Sequence, residues 1–248
     1  MSTRRYTQLG AARIHSVHSG TGSDVVLLHG LSGSRHWWRY TLEALAESYR
    51  VHVPELVGFG RSRAGWRQPN IGELAELMMQ WLQELGLARP HLVGHSMGGQ
   101  IALHMAASSD AALRTLSLVC ASGIPRAFGL GDAARMLAGA LPPRRWGATG
   151  FLPTIALDAL RSGPRRLAHA GWNLLGDDVR PLLPRIKLPC LVVWGALDPL
   201  LPLEHGRALA DGLPDARLVV LANAAHNPMA DEPREFNRVL LDFLDRHE

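Results

Sequence analysis

The sequence predicts an α/β fold, with a mostly parallel, twisted sheet of eight strands, helices on both faces and an inserted helical cap. Two observations lead to this prediction. Short apolar runs alternate with segments of helical periodicity, which is typical of a parallel sheet covered on both faces. The alternation stops from about residue 124 to residue 185 and then resumes with two further strand-like runs.

Eight strand-like segments make up the predicted sheet. The first two, "RRYTQLG" and "RIHSVHSG", form a leading antiparallel hairpin, and the other six are apolar runs typical of strands buried on both faces. These six runs are "DVVLLHG" (24–30), "RVHVPE" (50–55), "PHLVGHS" (90–96), "TLSLVCAS" (115–122), "PCLVVWG" (189–195) and "ARLVVLAN" (216–223). Segments with apolar residues at spacings of three and four predict helices over 35–49, 70–86 and 97–109.

The interruption in this pattern predicts a cap, or lid, over residues 123–185, so that residues 1–122 and 186–248 form the core. The segment is rich in proline and arginine and has helical stretches at 131–141 and 153–175. A helical excursion at the surface, with no role in function, is the alternative interpretation.

Composition indicates a soluble globular protein, with 47% hydrophobic and 19% charged residues. No apolar run approaches the ~20 residues that a membrane span needs. The N-terminal stretch lacks the apolar core of a secretory signal, which is ~7–15 residues long. We therefore expect a cytoplasmic protein that does not bind membranes, as a monomer or a homodimer.

The net charge of +4 and the pI of about 9.7 do not predict nucleic-acid binding. Acidic residues are interspersed with the basic ones, and no run of five like charges occurs. Cys120 and Cys190 lie at the edges of apolar runs, where free thiols behave as small hydrophobic groups. Because no Cys/His cluster has the spacing of zinc ligands, we expect no metal.

The stretch "HLVGHSMGGQIAL" (91–103) contains a candidate nucleophile. Ser96 stands between Gly94 and Gly98, after an apolar run and before a helical one, which is the strand–turn–helix context of a nucleophilic serine. The glycines allow close approach of strand and helix, and the helix N-terminus presents free N–H groups near the hydroxyl. The same pattern occurs in structural turns, so a base and an acid are needed elsewhere.

A serine hydroxyl is a weak nucleophile without a base. His226 lies in a short loop after the last predicted strand, before the helix that Pro233 begins, where open α/β sheets place their sites. Asp198 follows the preceding strand in an Asp-Pro turn and is the predicted orienting acid. Three other aspartates compete by residue type, although none directly follows a strand: Asp177, Asp178 and Asp231.

Two backbone N–H groups are needed to stabilise an oxyanion at the substrate carbonyl. The N–H of Met97, directly after the nucleophile, is one candidate. The other is the N–H of Leu31, in the loop after the "DVVLLHG" run, where Gly30 and Gly33 permit close approach of a substrate. We interpret His29 as a support for this loop through hydrogen bonds rather than as a base.

Five motifs resemble those of the α/β-hydrolase fold superfamily, in its esterase-like group with a helical cap. They are "HGLSGS" (29–34), "PELVGFGRS" (54–62), "GHSMGG" (94–99), "WGALDPLLP" (194–202) and "NAAHNP" (223–228), which together span nearly the whole chain apart from the cap. The resemblance implies a triad of Ser96, Asp198 and His226, in the chain order nucleophile, acid, base. It implies no cofactor.

The sequence departs from the superfamily at Glu55, where Asp-x-x-Gly-x-Gly-x-Ser often begins with aspartate. We predict that Glu55 ties the turn through its carboxylate, with a geometry that its longer stem leaves open, and assign it no catalytic role. Gly58 and Gly60 serve this turn.

Aromatic residues predict the substrate pocket. Trp37 and Trp38 follow the oxyanion loop and lie about 100° apart on a helix, so that one faces the core and the other can line the pocket. Packing within the cap is as good an interpretation as pocket lining for its large apolar residues, which include Phe128, Trp146, Phe151, Trp172 and Leu174. The predicted substrate-binding residues are Trp37, Phe128, Trp146 and Trp172.

These predictions lead to a serine carboxylesterase acting on small to medium esters. The same triad would serve a lactonase, a thioesterase, a carbon–carbon bond hydrolase or a perhydrolase, and fold alone does not choose among them. A small-molecule receptor that uses the hydrolase pocket is an alternative of another class. A nucleophilic aspartate mechanism is disfavoured, because the elbow residue is Ser96.

Overall fold

The computed structural model of the 248-residue chain describes residues 2–63, 65, 68–125 and 150–248. An eight-stranded sheet forms the middle layer, as the sequence predicts. Its strands are β1 (Thr3–Leu9), β2 (Ala12–Ser19), β3 (Asp24–Leu28), β4 (Arg50–Pro54), β5 (His91–His95), β6 (Thr115–Val119), β7 (Cys190–Gly195) and β8 (Ala216–Leu221). Their spatial order is β1-β2-β4-β3-β5-β6-β7-β8.

Strand directions confirm the predicted leading hairpin and the mostly parallel sheet. β1 pairs antiparallel with β2, from Thr3 opposite His18 to Leu9 opposite Ala12, and β2 is antiparallel to β4. All pairs from β4 to β8 are parallel. The carboxyl ends of these strands therefore meet at one edge of the sheet, where loops from different strands can build one site.

Burial explains why the central strands are apolar throughout. Every residue of β5, β6 and β7 is buried, because helices cover both faces of the sheet. β8 lies at the edge and is only partly buried, with Val220 exposed on it.

The described helices form two layers around the sheet. α2, α3 and α6 pack on one face, and α1 and α8 pack on the other. The helices are α1 (Arg39–Leu45), α2 (Ile71–Glu84), α3 (Met97–Ser108), α4 (Leu152–Ser162), α5 (Pro164–Gly176), α6 (Leu203–Gly212), α7 (Pro228–Asp231) and α8 (Pro233–Asp245). In the described part of the chain, none of them is long and apolar enough to cross a membrane.

Two predicted helices have different boundaries in the structure. The segment 35–49 begins with a 3-10 helix, Arg35–Trp38, and continues as α1. The predicted stretch 153–175 is two helices, α4 and α5, because Gly163 adopts φ +77° and Pro164 lacks the N–H that would continue a helix.

The described residues of the predicted cap, 123–125 and 150–185, contain helices and no strand. The N–H of Val179 donates to the carbonyl of Gly123 at 2.8 Å, which joins the two ends of the segment where it leaves and re-enters the sheet region. The predicted helix over 131–141 lies outside the described residues. The division at 122/123 and 185/186 stays a prediction.

Candidate active site

Ser96 occupies a strained turn between β5 and α3. Its φ of +51° and ψ of −117° lie in a region that costs energy for any residue with a side chain. Backbone hydrogen bonds maintain this conformation. Ser96 donates its N–H to the carbonyl of Val119 at 3.0 Å, and its carbonyl accepts from the N–H groups of Gly99, Gln100 and Ser122. The turn is thus fixed by the neighbouring strand and by its own helix.

The two flanking glycines allow the elbow to pack, as predicted. A Cβ on Gly94 would lie 2.4 Å from the carbonyl oxygen of Gly98, and a Cβ on Gly98 would lie 2.5 Å from the carbonyl oxygen of Leu28. Any side chain would collide with backbone there, so the start of α3 can approach β3 and β5 only with glycine at these positions.

His226 and Asp198 form a hydrogen-bonded pair. His226 Nδ1 lies 2.8 Å from Oδ2 of Asp198, and the Asp198 side chain is almost fully buried. Because a carboxylate only accepts, Nδ1 carries the proton and Nε2 is left with its lone pair. The other carboxylate oxygen of Asp198 accepts from the N–H groups of Leu200 and Leu201, at 2.8 and 3.0 Å. The carboxylate is therefore held by the backbone of its own loop.

The three competing aspartates contact other groups. Asp177 accepts from His104 and from the side chain of Gln100. Asp178 pairs with Arg180, and Asp231 accepts from the N–H of Ala225, in the loop that carries His226. Asp198 is therefore the predicted acid, and it hydrogen-bonds the His226 ring; its position after β7 was the sequence signal.

His95 is a residue of this site that the sequence reasoning did not identify. Its Nε2–H donates to the backbone carbonyl of His226 at 2.8 Å, and the two rings lie 5.0 Å apart. Complete burial and the nearby His226 lower the pKa of His95 well below 6.5, so the ring is neutral. A polar residue within the otherwise apolar run before Ser96 was the available sequence signal.

Cys120 also adjoins the acid–base pair. Its Sγ accepts from the N–H of Gly195 at 3.5 Å, and a nitrogen of His226 and an oxygen of Asp198 both lie within 4.8 Å of it. Burial and the charge of Asp198 raise the pKa of the thiol far above its usual value, so it is protonated. The Cys120 side chain thus packs beside the directly bonded His226 and Asp198 side chains.

Met97 is the first residue of α3, where N–H groups have no acceptor within the helix. Its N–H is therefore available to an oxyanion at Ser96. The residue itself is buried, so only its backbone serves the site.

Leu31 lies in a turn closed by the Gly33 N–H and the Gly30 carbonyl, at 3.0 Å. A Cβ on Gly30 would lie 3.1 Å from Cβ of Ser96, so this loop passes directly beside the nucleophile. His29 supports the loop, as predicted: its Nδ1–H donates to the Gly30 carbonyl at 2.8 Å. Burial lowers the pKa of His29. Its unprotonated Nε2 accepts a hydrogen bond from the backbone N–H of Leu56 at 2.9 Å.

Glu55 ties the turn after β4 through its carboxylate. The structure shows which groups its longer side chain reaches. Its Oε2 accepts from the N–H of Arg61 at 2.7 Å and from Nδ1 of His15 at 2.9 Å. Its Oε1 accepts from the N–H of Arg35 at 3.4 Å, at the start of the 3-10 helix after the oxyanion loop. Burial lowers the pKa of His15, and the Glu55 charge opposes that shift. The buried carboxylate thus joins three segments without facing the cavity.

A cavity of about 430 Å³, as bounded by the described residues, contains Ser96 and His226. Leu31 and Trp37 line it beside the nucleophile, and cap residues enclose much of the rest. The apolar lining residues are Leu31, Trp37, Ile124, Ile155, Leu167, Leu174, Leu175, Pro199, Leu200 and Leu201. Polar groups at the wall include Ser32, Ser122, His205 and Asn227.

The aromatic residues predicted to line the pocket take different positions in the structure. Trp37 lines the cavity, and Trp38 is fully buried against Phe236, so the two neighbours divide as predicted. Trp172 does not line the cavity and is 81% exposed, which corrects its predicted role. The reason is helical direction, because Gly171, Leu174 and Leu175 on α5 face the cavity while Trp172 points about 100° away from Gly171.

Four further cap residues are candidates for lining the pocket or for packing within the cap. Leu174 lines the cavity, whereas Phe151 is buried behind it with its ring centroid 5.8 Å from that of Trp37. Phe128 and Trp146 lie outside the described residues.

Comparison with known proteins identifies the family. Residues 25–239 match the model described as "Alpha/beta hydrolase family". The chain is 34% identical to the pimeloyl-[acyl-carrier protein] methyl ester esterase of Aeromonas hydrophila subsp. hydrophila over 255 residues, 91% of this chain and 96% of that protein. It is 30% identical over 246 residues to the dihydrolipoyllysine-residue acetyltransferase component of the acetoin cleaving system of Pseudomonas putida, with 91% of this chain and 64% of that protein covered.

A solved structure supports the same assignment. The thermophilic esterase from Thermogutta terrifontis superposes with a TM-score of 0.85 at 25% identity, over 99% of this chain and all of that one. The eight-stranded sheet with flanking helices is common to this fold. The chain therefore belongs to the alpha/beta hydrolase family, and it is a hydrolase.

Proposed function

We propose that this hydrolase is a serine carboxylesterase that cleaves small to medium esters through an acyl-enzyme on Ser96. The observation that carries the proposal is the 2.8 Å bond between His226 Nδ1 and Asp198, with Ser96 and His226 lining one cavity. That bond places the imidazole proton of His226 on Nδ1. Nε2 is therefore free to take a proton.

The mechanism follows from the groups around the carbonyl. His226 Nε2 removes the proton of Ser96 as its oxygen attacks the ester carbon, and the N–H groups of Met97 and Leu31 stabilise the oxyanion. His226 then protonates the leaving alkoxide, and the alcohol departs. A water molecule activated by His226 attacks the acyl-enzyme, and Ser96 recovers its proton when the acid is released. Asp198 stabilises the transient imidazolium throughout.

The cavity supports an apolar substrate of moderate size. Leucine, isoleucine and tryptophan make up half of the residues that line its described wall, and the polar residues of the wall include Ser32, Ser122, His205 and Asn227. A volume of about 430 Å³ lies at the small end of ligand pockets, which span about 300–1,000 Å³. The partner that this cavity supports is a small-molecule ester. We further propose that the protein acts without a cofactor, as a cytoplasmic monomer or homodimer.

A substrate panel tests the proposal. Purified protein is given p-nitrophenyl esters of graded acyl length, together with a lactone, a thioester and a vinylogous diketone. We expect the highest kcat/KM on a short or medium ester, with a burst of chromophore equal to the enzyme concentration and no turnover in Ser96→Ala. Preferred turnover of the lactone, thioester or diketone would replace the esterase proposal with that activity. Binding of these compounds without any turnover would indicate a receptor.

A further inference from the structure

A carboxylate from the cap is buried against the segment that follows the oxyanion loop. Asp158 lies on α4 and is only 4% exposed. Leu157 and Leu160 on the same helix are exposed, whereas the charged side chain of Asp158 is directed toward the core. Burying a carboxylate is costly unless hydrogen bonds compensate it. The buried carboxylate of Asp158 therefore needs hydrogen-bond donors, and two of them belong to the core.

Two hydrogen-bond donors to Asp158 come from the 3-10 helix after the oxyanion loop and from the residue that caps it. On α4 itself, a guanidinium nitrogen of Arg161 lies 3.9 Å from the other carboxylate oxygen of Asp158. Ser34 Oγ donates to Oδ2 of Asp158 at 2.7 Å, and Trp37 Nε1 donates to the same oxygen at 3.2 Å. Because the carboxylate can only accept, the Ser34 hydroxyl proton points to the cap. The Ser34 oxygen then accepts from the N–H of His36 at 3.3 Å as the helix cap. One hydroxyl thus links the cap to the local backbone structure.

The same helix lies against the oxyanion loop at a second point. Ser162 donates its single hydroxyl proton to the carbonyl of Asp158 at 2.8 Å, and its Oγ lies 3.5 Å from the carbonyl oxygen of Ser32, the residue after Leu31. From the core side, His29 and Glu55 hold the loop at Gly30 and Arg35. The segment 31–37 is therefore held between the core and α4, with Leu31 beside Ser96 and the Trp37 ring in the cavity wall.

We propose that Asp158 is a positioning residue that couples the seating of the cap to the oxyanion hole. Through Ser34 it sets the path of the backbone that carries the Leu31 N–H, and through Trp37 it sets the wall beside the nucleophile. Neither contact touches the reacting atoms, so the effect reaches the reaction through the loop. The inference rests on the proposed function, because turnover reports the oxyanion contact.

The kinetic consequence is a loss concentrated in kcat. An oxyanion donor acts mainly in the transition state, so a displaced Leu31 N–H lowers kcat more than it changes KM. Removing one such donor outright costs about 10²–10³ in kcat, and a displaced donor should cost about 10- to 100-fold. The pH profile should stay unchanged, because the His226–Asp198 pair does not contact Asp158.

The test compares Asp158→Leu with Asp158→Asn, which keeps a carbonyl oxygen as acceptor for Ser34 and Trp37. Active sites are counted by burst titration, and kcat and KM on the best panel ester are measured per titrated site across pH. We expect Asp158→Leu to lose about 10- to 100-fold in kcat with KM within about threefold, and Asp158→Asn to recover most of that loss. Leu160→Ala is the matched control on α4 and should behave as wild type.

A second variant keeps the test decisive if Asp158→Leu does not fold. Ser34→Ala removes one donor to Asp158, and Asp158→Ala removes the acceptor with a smaller side chain than leucine. Combining the two should lower kcat by less than the product of the two single effects, since both act on one contact. Wild-type kcat in a folded Asp158→Leu, a loss in KM alone, or independent effects in the double variant would overturn the inference. Absence of ester turnover in the wild type would instead reject the proposed function.

Discussion

The imidazole of His95 donates a hydrogen bond to the backbone carbonyl of His226 at 2.8 Å, across 131 positions of sequence. The residue before Ser96 thus holds the loop that carries His226, so the strained turn and the His226 loop are positioned together. Since the His95 ring is buried and neutral, this is a fixed structural contact rather than a titrating one.

Replacing His95 should therefore misplace the base. We expect His95→Phe, which keeps an aromatic ring but removes the donor, to lower kcat by about 10- to 100-fold, because small displacements of a catalytic group are costly. Burying the unpaired His226 carbonyl should also cost about 1–3 kcal/mol of unfolding free energy. Ester kinetics and urea denaturation measure the two effects. Unchanged kcat in folded His95→Phe would show that the loop is held by other contacts.

Removing the charge of Asp198 should stop turnover without unfolding the protein. Asp198→Asn keeps the shape of the side chain but favours the wrong His226 tautomer, and we expect kcat to fall by about 10³–10⁴. Circular dichroism and thermal unfolding check the fold. Asp178→Asn is the matched control, because Asp178 pairs with Arg180 at the surface and should leave kcat unchanged. Near-normal turnover in Asp198→Asn would reject the acid assignment.

The buried histidines should make the protein labile to acid. Burial, followed by the neighbouring His52, lowers the pKa of His18 from 6.5 to about 4. Between pH 6.5 and 4, the unfolded chain therefore binds a proton at His18 that the native chain does not bind. The free energy of unfolding falls as the pH falls through that range. The pKa values of His15, His29 and His95 are lowered by burial too and act in the same direction.

The slope of unfolding free energy against pH isolates the contribution of His18. We expect His18→Gln to have a shallower slope between pH 6.5 and 4, by up to about one proton. Leu160→Ala removes no titratable group and should keep the wild-type slope. A His18→Gln slope as steep as that of the wild type would show that His18 takes up no additional proton on unfolding.

Shortening the turn carboxylate should destabilise the core. Glu55→Asp restores the residue common in the superfamily, but the shorter stem cannot reach both His15 and the Arg61 N–H. We expect a loss of about 1–3 kcal/mol, the cost of buried groups left without a partner. Glu204→Asp is the matched control at an exposed site and should change stability by less than about 0.5 kcal/mol. Chemical denaturation measures both, and an equal or greater stability of Glu55→Asp would contradict this account.

Much of this site could be predicted because its signals are local. The Ser96 elbow combines a strand end, two glycines and a helix start within nine residues, and steric contact requires those glycines. Asp198 and His226 each follow a strand directly, and parallel strands bring such loops together at one sheet edge. Periodicity alone placed the sheet and most helices, since alternating strands and helices have few ways to pack.

The tertiary structure alone decided which distant side chains meet. The hydrogen-bond donors to Asp158 from the core lie 121 and 124 positions away, and no local pattern marks which face of α4 turns toward Ser34 and Trp37. The same applies to Trp172, whose exposure follows from the direction of α5 and not from its residue type. The sequence by itself determined the fold, and local sterics and strand ends led to the prediction of Ser96, Asp198 and His226 as nucleophile, acid and base. Packing of the cap onto the core decided what surrounds the Ser96 hydroxyl, because those contacts depend on helix rotation and long-range chain closure.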